Sequence, residues 1–393
     1  MEKTTDTQSP PPRKVATLET LNASQIAAIR AIPEYNTVPP PVLTETRPVS
    51  IFLDQARFDQ EQASIFRKLA VPVTLSAALP EPGSVIGHEG YGLPLIVARA
   101  KDGKVRAFLN ACKHKGSKLV EDCAHHKMAR LTCPYHAWTY GLDGRLLAVA
   151  RGDAFEAIDK ADYALTELAC REHGGIVWVS LNRHAEPDFS ALMPELEDDL
   201  NALGIPGMTL YGRKTFHVKA NWKLVLEPFM ESYHVPRLHA GSIGELFGDV
   251  TRVIDQFGPH QRKIAGKIRY KPEMLDLPGE NIHKTVTHAY QIFPNAVLIT
   301  SPYYMSFMTL MPKAPGETIV EYFNLVPGEA PNEKVADLYR RSYELVLHVF
   351  GNEDFRAAEI SHAGLASGAL DVVTYGGMEN TIPMYYEQLE ARL

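Results

Sequence analysis

Residues 110–144 read NACKHKGSKLVEDCAHHKMARLTCPYHAWTYGLDG and contain Cys112-x-His114, then, after a gap of 18 residues, Cys133-x-x-His136. Two short loops thus each offer one thiolate and one imidazole. That inventory suits a tetrahedral zinc ion. It equally suits a [2Fe–2S] centre in which two cysteines hold one iron and two histidines the other. Gly116 and Pro134 frame the loops and let the backbone fold tightly, so that N–H groups can turn toward the sulfurs and tune them. Cys123-x-His125 is a competing pair, but only 7 residues separate it from Cys133. It lacks the glycine frame, and Cys123 is expected to be an inert thiol in an inserted loop.

A second stretch, Asn221 to His239, reads NWKLVLEPFMESYHVPRLH and brings Glu227, Glu231, His234 and His239 together. Two imidazoles and a carboxylate from elsewhere are the parts of a facial triad for non-haem Fe(II), which leaves positions open for oxygen. The five-residue step between the histidines is wrong for one face of an ideal helix. Pro236 is expected to break the helical ladder and let both rings aim at one ion. Alone, this pattern is also that of a polar helix face.

The phrases NACKHKG…CPYHAWTYGLDG and NWK…ExxxESYHVPRLH, in this order in one chain, resemble the Rieske non-haem iron ring-hydroxylating oxygenase family, alpha (oxygenase) subunit. The resemblance covers about residues 50–390, with Lys115 where arginine is more usual. It implies a [2Fe–2S] cluster on Cys112, His114, Cys133 and His136. It implies Fe2+ on His234, His239 and Asp354, with Glu353 the alternative carboxylate. In the family the ligand aspartate opens a C-terminal helix, so Asn352 is expected to cap a helix running to about Leu365, and His362 stands where the family has glutamine. Glu231 takes the place of the acid that bridges a cluster histidine of one subunit to an iron histidine of the next. Such a relay implies a closed ring, hence a homotrimer.

Glu231 in place of the usual aspartate, Pro228 in place of asparagine, and a motif shorter by one residue resemble the carnitine and stachydrine monooxygenase branch. The expected activity is therefore oxygen insertion from O2 into a small organic, by the family's habit aromatic, substrate, by hydroxylation or oxidative N- or O-dealkylation. Aromatic ring cis-dihydroxylation is the alternative. A plain [2Fe–2S] electron carrier and a zinc-binding module are the rivals from other classes. No stretch resembles a nucleotide-binding loop, so electrons are expected from NAD(P)H through a separate reductase, a ferredoxin, or both.

The elements that must position these groups suggest an α+β chain. Expected are an N-terminal extension and helix over 1–49, with the helix at Leu18–Ile32, an all-β cluster domain over 50–168, and a catalytic domain over 169–393 built on an antiparallel sheet with helices, helix-grip-like. Residues 1–15 are polar and proline-rich and expected to be disordered. Asp102-Gly103 and Asp143-Gly144 mark turns between short strands. The strand from Gly174 to Leu181 is expected to open the catalytic half. Leu192, Leu196 and Leu200 stripe a helix whose Glu195, Glu197, Asp198 and Asp199 are expected to face solvent. Helix Val335–Phe350 should turn Leu338, Leu345 and Val349 inward. Phe293, His288, Tyr303 and Phe307 are the substrate-pocket candidates.

A hydrophobic content of 45% is that of an ordinary globular protein. A net charge of -7 gives no basic footprint for nucleic acid. Four cysteines make no disulfide framework. No apolar run suggests a signal peptide or a membrane span, and a cytoplasmic location is the expectation.

Overall fold

The computed structural model describes residues 16–35, 37–249 and 252–393. The expected disorder of residues 1–15 lies outside them.

Three small sheets build the cluster-bearing half. Strands Ser84–His88, Leu95–Arg99 and Val105–Leu109 form an antiparallel meander, extended by His125–Lys127 and Glu167–Leu168. Gly103 adopts φ +80° in the turn, a conformation that costs glycine little. Leu131–Thr132, Thr139–Tyr140 and Leu146–Ala148 form a separate three-stranded tip. Strand Ile176–Ser180 pairs with Ala70–Leu75 and with Cys170–His173. The segment expected to open the catalytic half therefore closes the first half instead, and the boundary near residue 169 moves beyond Ser180.

The catalytic half is a seven-stranded antiparallel sheet. Its order is Thr209–Val218, Glu317–Val326, Met305–Ala314, Ala296–Thr300, Val286–Ile292, His260–Gly266, Arg252–Phe257. Against it lies a helix that runs from Glu333 to His348, widens into a π turn over Val349–Asp354, and continues as Phe355–Ala366. Asn352 therefore caps nothing. It lies inside a continuous helix, where its side chain bonds the His348 ring at 2.9 Å. Val346, Val349, Phe350 and Phe355 pack with Val320 and Tyr322 of the sheet in one apolar core, which also takes in Val73 and Ile86 of the first half. Leu345 faces solvent instead.

One further expectation fails for a physical reason. Asp199 is buried, because it receives hydrogen bonds from Arg262 Nη1 at 2.7 Å, Asn22 Nδ2 at 2.7 Å and the Tyr290 hydroxyl at 2.9 Å. The helix expected within Leu18–Ile32 is present and tied down. Helix Ala23–Arg30, capped by Asn22, docks Gln25 on Tyr290, and strand Thr44–Pro48 pairs with Val372–Gly376.

Candidate functional site

The cluster loops come first. Cys112 and Cys133 are both buried at the tip of the three-stranded sheet. Each loop closes on itself: Gly116 N–H donates to Cys112 O, with Gly116 at φ +78°, and Ala137 N–H donates to Cys133 O. Burial opposes the Cys133 thiolate, but the backbone N–H groups of Tyr135 and His136, with Cys112 and Ser117, outweigh it and hold the thiol below its ordinary value. The Tyr140 hydroxyl lies 3.2 Å from Cys112 Sγ. The His114 and His136 rings lie side by side, centroids 4.7 Å apart, both half-buried. His136 Nδ1 is buried with no hydrogen-bond partner. A donor atom left unpaired inside a protein is costly unless something binds it. Two inward sulfurs and a paired set of rings with such a nitrogen fit the mixed thiolate–imidazole set of a [2Fe–2S] centre. The competing Cys123 is exposed, and His125 begins a strand paired to Ser84–Ile86. Neither belongs to this group.

The second constellation forms around one helical turn. The helix Val235–Leu238 is only 4 residues long, so His234 and His239 sit at its two ends rather than along one face. The expected distorted helix is thus a single turn with Pro236 in its first residues, where a missing N–H costs little. The ring centroids are 5.1 Å apart. From the far end of the sequence, the π turn delivers Asp354. Its Oδ1 lies 3.4 Å from His234 Nε2 and 3.3 Å from His239 Nε2. The extra residue of a π turn rotates the helix beyond it, and such turns are frequent at functional sites.

Asp354 is buried, and its Oδ1 has no hydrogen-bond partner despite both nitrogens being near. Three ligand atoms from His234, His239 and Asp354 lie within 4.8 Å of one another. The outer ring nitrogens each meet a carboxylate of their own. Glu231 Oε1 accepts from His234 Nδ1, and Glu231 Oε2 accepts from the His234 backbone N–H at 3.1 Å. Glu353 Oε2 accepts from His239 Nδ1 and from Ser242 Oγ at 2.8 Å. A proton held at Nδ1 fixes the tautomer and turns the Nε2 lone pair inward. Burial raises the Asp354 carboxyl, but the two imidazoles outweigh it and hold it below its ordinary value. Burial opposes charge on His234, yet Asp354 and Glu231 together push it up to about 9. The group is built to hold positive charge, and two nitrogens with one oxygen on one side fit a non-haem iron.

A cavity opens beside these atoms. Phe229, Phe247, Phe350 and Val349 give it an apolar wall, and Lys263, Ala265, Thr287, Ala289 and Ile299 form its sheet side. The four sequence candidates lie elsewhere. His288 falls between Thr287 and Ala289 on the same strand and so faces away. Its ring packs against His283 and Tyr290. Phe293 and Phe307 are core residues. Tyr303 lines a different cavity with His283. Missed by the sequence reading were Lys263, Arg252 and Glu353 in its supporting role. Two consecutive basic residues, Arg262-Lys263, within the polar run that opens the strand His260–Gly266 were the available signal.

Comparison with known proteins agrees with this layout. Residues 70–158 match the Rieske [2Fe-2S] domain, and residues 207–393 match the ring hydroxylating alpha subunit (catalytic domain). The carnitine monooxygenase oxygenase subunit of Acinetobacter baumannii is 28% identical over 350 residues, which is 87% of this chain and 91% of that one. The glycine betaine monooxygenase oxygenase subunit of Pseudomonas aeruginosa is 32% identical over 192 residues, 49% of this chain and 44% of that one. A crystal structure of a quaternary ammonium Rieske monooxygenase superposes with TM-score 0.76 at 23% identity, covering 92% of this chain and 99% of that one. Naphthalene 1,2-dioxygenase from Rhodococcus sp. superposes at 0.69 and 21% identity, over 88% and 94%. Among the described residues, no helix is long and apolar enough to cross a membrane.

Proposed function

Because this chain belongs to the Rieske-type ring-hydroxylating oxygenase alpha-subunit family, a family of [2Fe–2S] and non-haem iron enzymes, we propose that it is the terminal oxygenase that removes an N-methyl group from a quaternary ammonium compound by monooxygenation. The names of the relatives support the substrate class and turn it away from the aromatic compound expected from sequence. One observation carries the assignment of the site: His234, His239 and Asp354 converge at the wall of an apolar cavity, with a carboxylate behind each ring.

Cys112, His114, Cys133 and His136 hold the cluster in this proposal, and His234, His239 and Asp354 hold Fe2+. When bound, the cluster supplies single electrons and the iron supplies activation of O2. Glu231 fixes the His234 ring and presents a carboxylate toward a neighbouring subunit's cluster histidine, in a homotrimer. Glu353 fixes His239 in the same way. Phe229, Phe247 and Phe350 keep water from the methyl groups and offer ring faces, which attract cationic ammonium groups. One atom of O2 enters a methyl C–H bond and the other leaves as water, with two electrons supplied from NAD(P)H through a reductase or ferredoxin and two protons, one from NAD(P)H and one from solvent. The N-hydroxymethyl product then sheds formaldehyde and a proton to leave a tertiary amine.

The test is oxygen uptake with a panel of trimethylammonium compounds, read together with formaldehyde release. Formaldehyde in step with oxygen supports the proposal. A product that gains both oxygen atoms would replace it with dioxygenation.

A further inference from the structure

The cavity carries a charge that N-demethylation alone leaves unexplained. Strand pairing sets Arg252 opposite Ala265 and Ala265 opposite Thr287 in one row. It sets Lys263 opposite Ala289 and Ala289 opposite Ile299 in the next. All six residues line the cavity, so two basic side chains share one small-residue floor. Arg252 is held by the Ser232 hydroxyl at 3.0 Å and Met378 O at 2.6 Å. Lys263 is different. It is 4% exposed, and among the described residues its Nζ has one acceptor, the backbone carbonyl of Phe229, and no carboxylate partner. Both oxygens of Glu231 are engaged on His234, and Asp354 faces the two imidazoles.

A buried ammonium without a counter-charge is expensive, and such groups persist where a ligand supplies the missing charge. Burial, with Arg252 beside it, outweighs the attraction of the Glu231 carboxylate and pushes Lys263 well below its ordinary value. A simple cation entering this cavity would meet two basic groups and the metal's charge. A zwitterion would not meet them unbalanced.

We propose that Lys263 Nζ binds the carboxylate of a substrate whose other end is the quaternary ammonium, making Lys263 the residue that selects zwitterions over simple cations. This rests on the N-demethylation proposed above and adds the substrate's second charge.

The experiment is calorimetric binding to the full-length, iron-loaded protein. The probes are trimethylammonium acids of increasing chain length, each paired with the alcohol of equal length, and the matching tert-butyl acids that replace nitrogen with carbon. Wild type should bind its best acid at least about 10-fold more tightly than the paired alcohol. Lys263→Met should weaken both kinds of acid by about 10- to 100-fold and leave the alcohols unchanged, because a charged hydrogen bond is lost. The ligand-free variant should melt at or above wild type, since a buried amine that is costly to charge has been replaced by an apolar side chain, which a merely structural lysine would not allow. Equal binding of acid and alcohol by wild type overturns the inference while leaving N-demethylation intact, and that ranking decides the matter even if the variant misfolds. An acid preference that survives in Lys263→Met also overturns it. Tight, Lys263-dependent binding of tert-butyl acids with no binding of any trimethylammonium compound supports the carboxylate site and removes the quaternary ammonium reading.

Discussion

Replacing Glu353 separates a supporting carboxylate from the proposed iron ligand beside it, since it adjoins Asp354 in sequence but makes different contacts. Its Oε2 accepts from His239 Nδ1 and from Ser242 Oγ at 2.8 Å, while its Oε1 stands 3.7 Å from His348 Nε2. The His239 ring is almost wholly buried, so no water can take over the Nδ1 proton when the acceptor is removed. The ring is then free to change tautomer and turn its protonated nitrogen toward Asp354. Loss of such an orienting partner typically costs about 10- to 100-fold in metal affinity, or about 1.4–2.8 kcal/mol. Glu353→Ala should lose iron by that factor. Glu353→Gln keeps a carbonyl for Nδ1 and should lose about 10-fold or less. Competitive iron titration against a chelator measures both, and the cluster's visible absorption provides an internal control that should not change. Wild-type iron affinity in Glu353→Ala would refute the proposed fixing of His239.

Glu231→Gln should keep both metal centres and slow electron transfer between them, read by single-turnover decay of the reduced cluster's absorption; an unchanged rate would remove the relay role. Glu61→Ala should cost about 3–5 kcal/mol of stability in denaturant titration, because Lys223 Nζ, buried and bonded to both Glu61 oxygens at 2.8 Å, would lose its counter-charge. Acid should destabilise the fold through its buried neutral histidines. Burial lowers His283 from 6.5 to about 3 and His260 to about 4. Folded pKa values below the unfolded one mean that stability is full above about pH 6.5 and falls as pH drops toward those values, because only the unfolded chain takes up the protons. Thermal melts between pH 7 and 4 should show this fall, and His283→Leu should flatten it.

The cluster loops were legible because each pairs its cysteine and histidine within a few residues, so local spacing carries the information. His234 and His239 were legible as a pair for the same reason, although the one-turn helix between them was not. Asp354 stands more than a hundred residues downstream, and only the resemblance brought it in. The π turn that delivers it defeats a reading in ideal turns, which is why Asn352 looked like a cap. Asp199 looked solvated because its neighbours on the helix are acidic, while its partners Arg262, Tyr290 and Asn22 come from three distant segments. His288 failed as a pocket candidate on parity. Alternation along Val286–Ile292 is plain in sequence, but which of its two faces meets the iron ligands depends on how the long helix packs, and no local pattern encodes that.

Iron and acid-labile sulfide should be counted in the wild type and in Asp354→Ala. The wild type should hold the two irons and two sulfides of the cluster plus one further iron per chain. Asp354→Ala should keep the cluster's iron and sulfide, lose the single iron, and release no formaldehyde. Equal iron in the two proteins, or formaldehyde from the variant, would contradict an iron held by His234, His239 and Asp354.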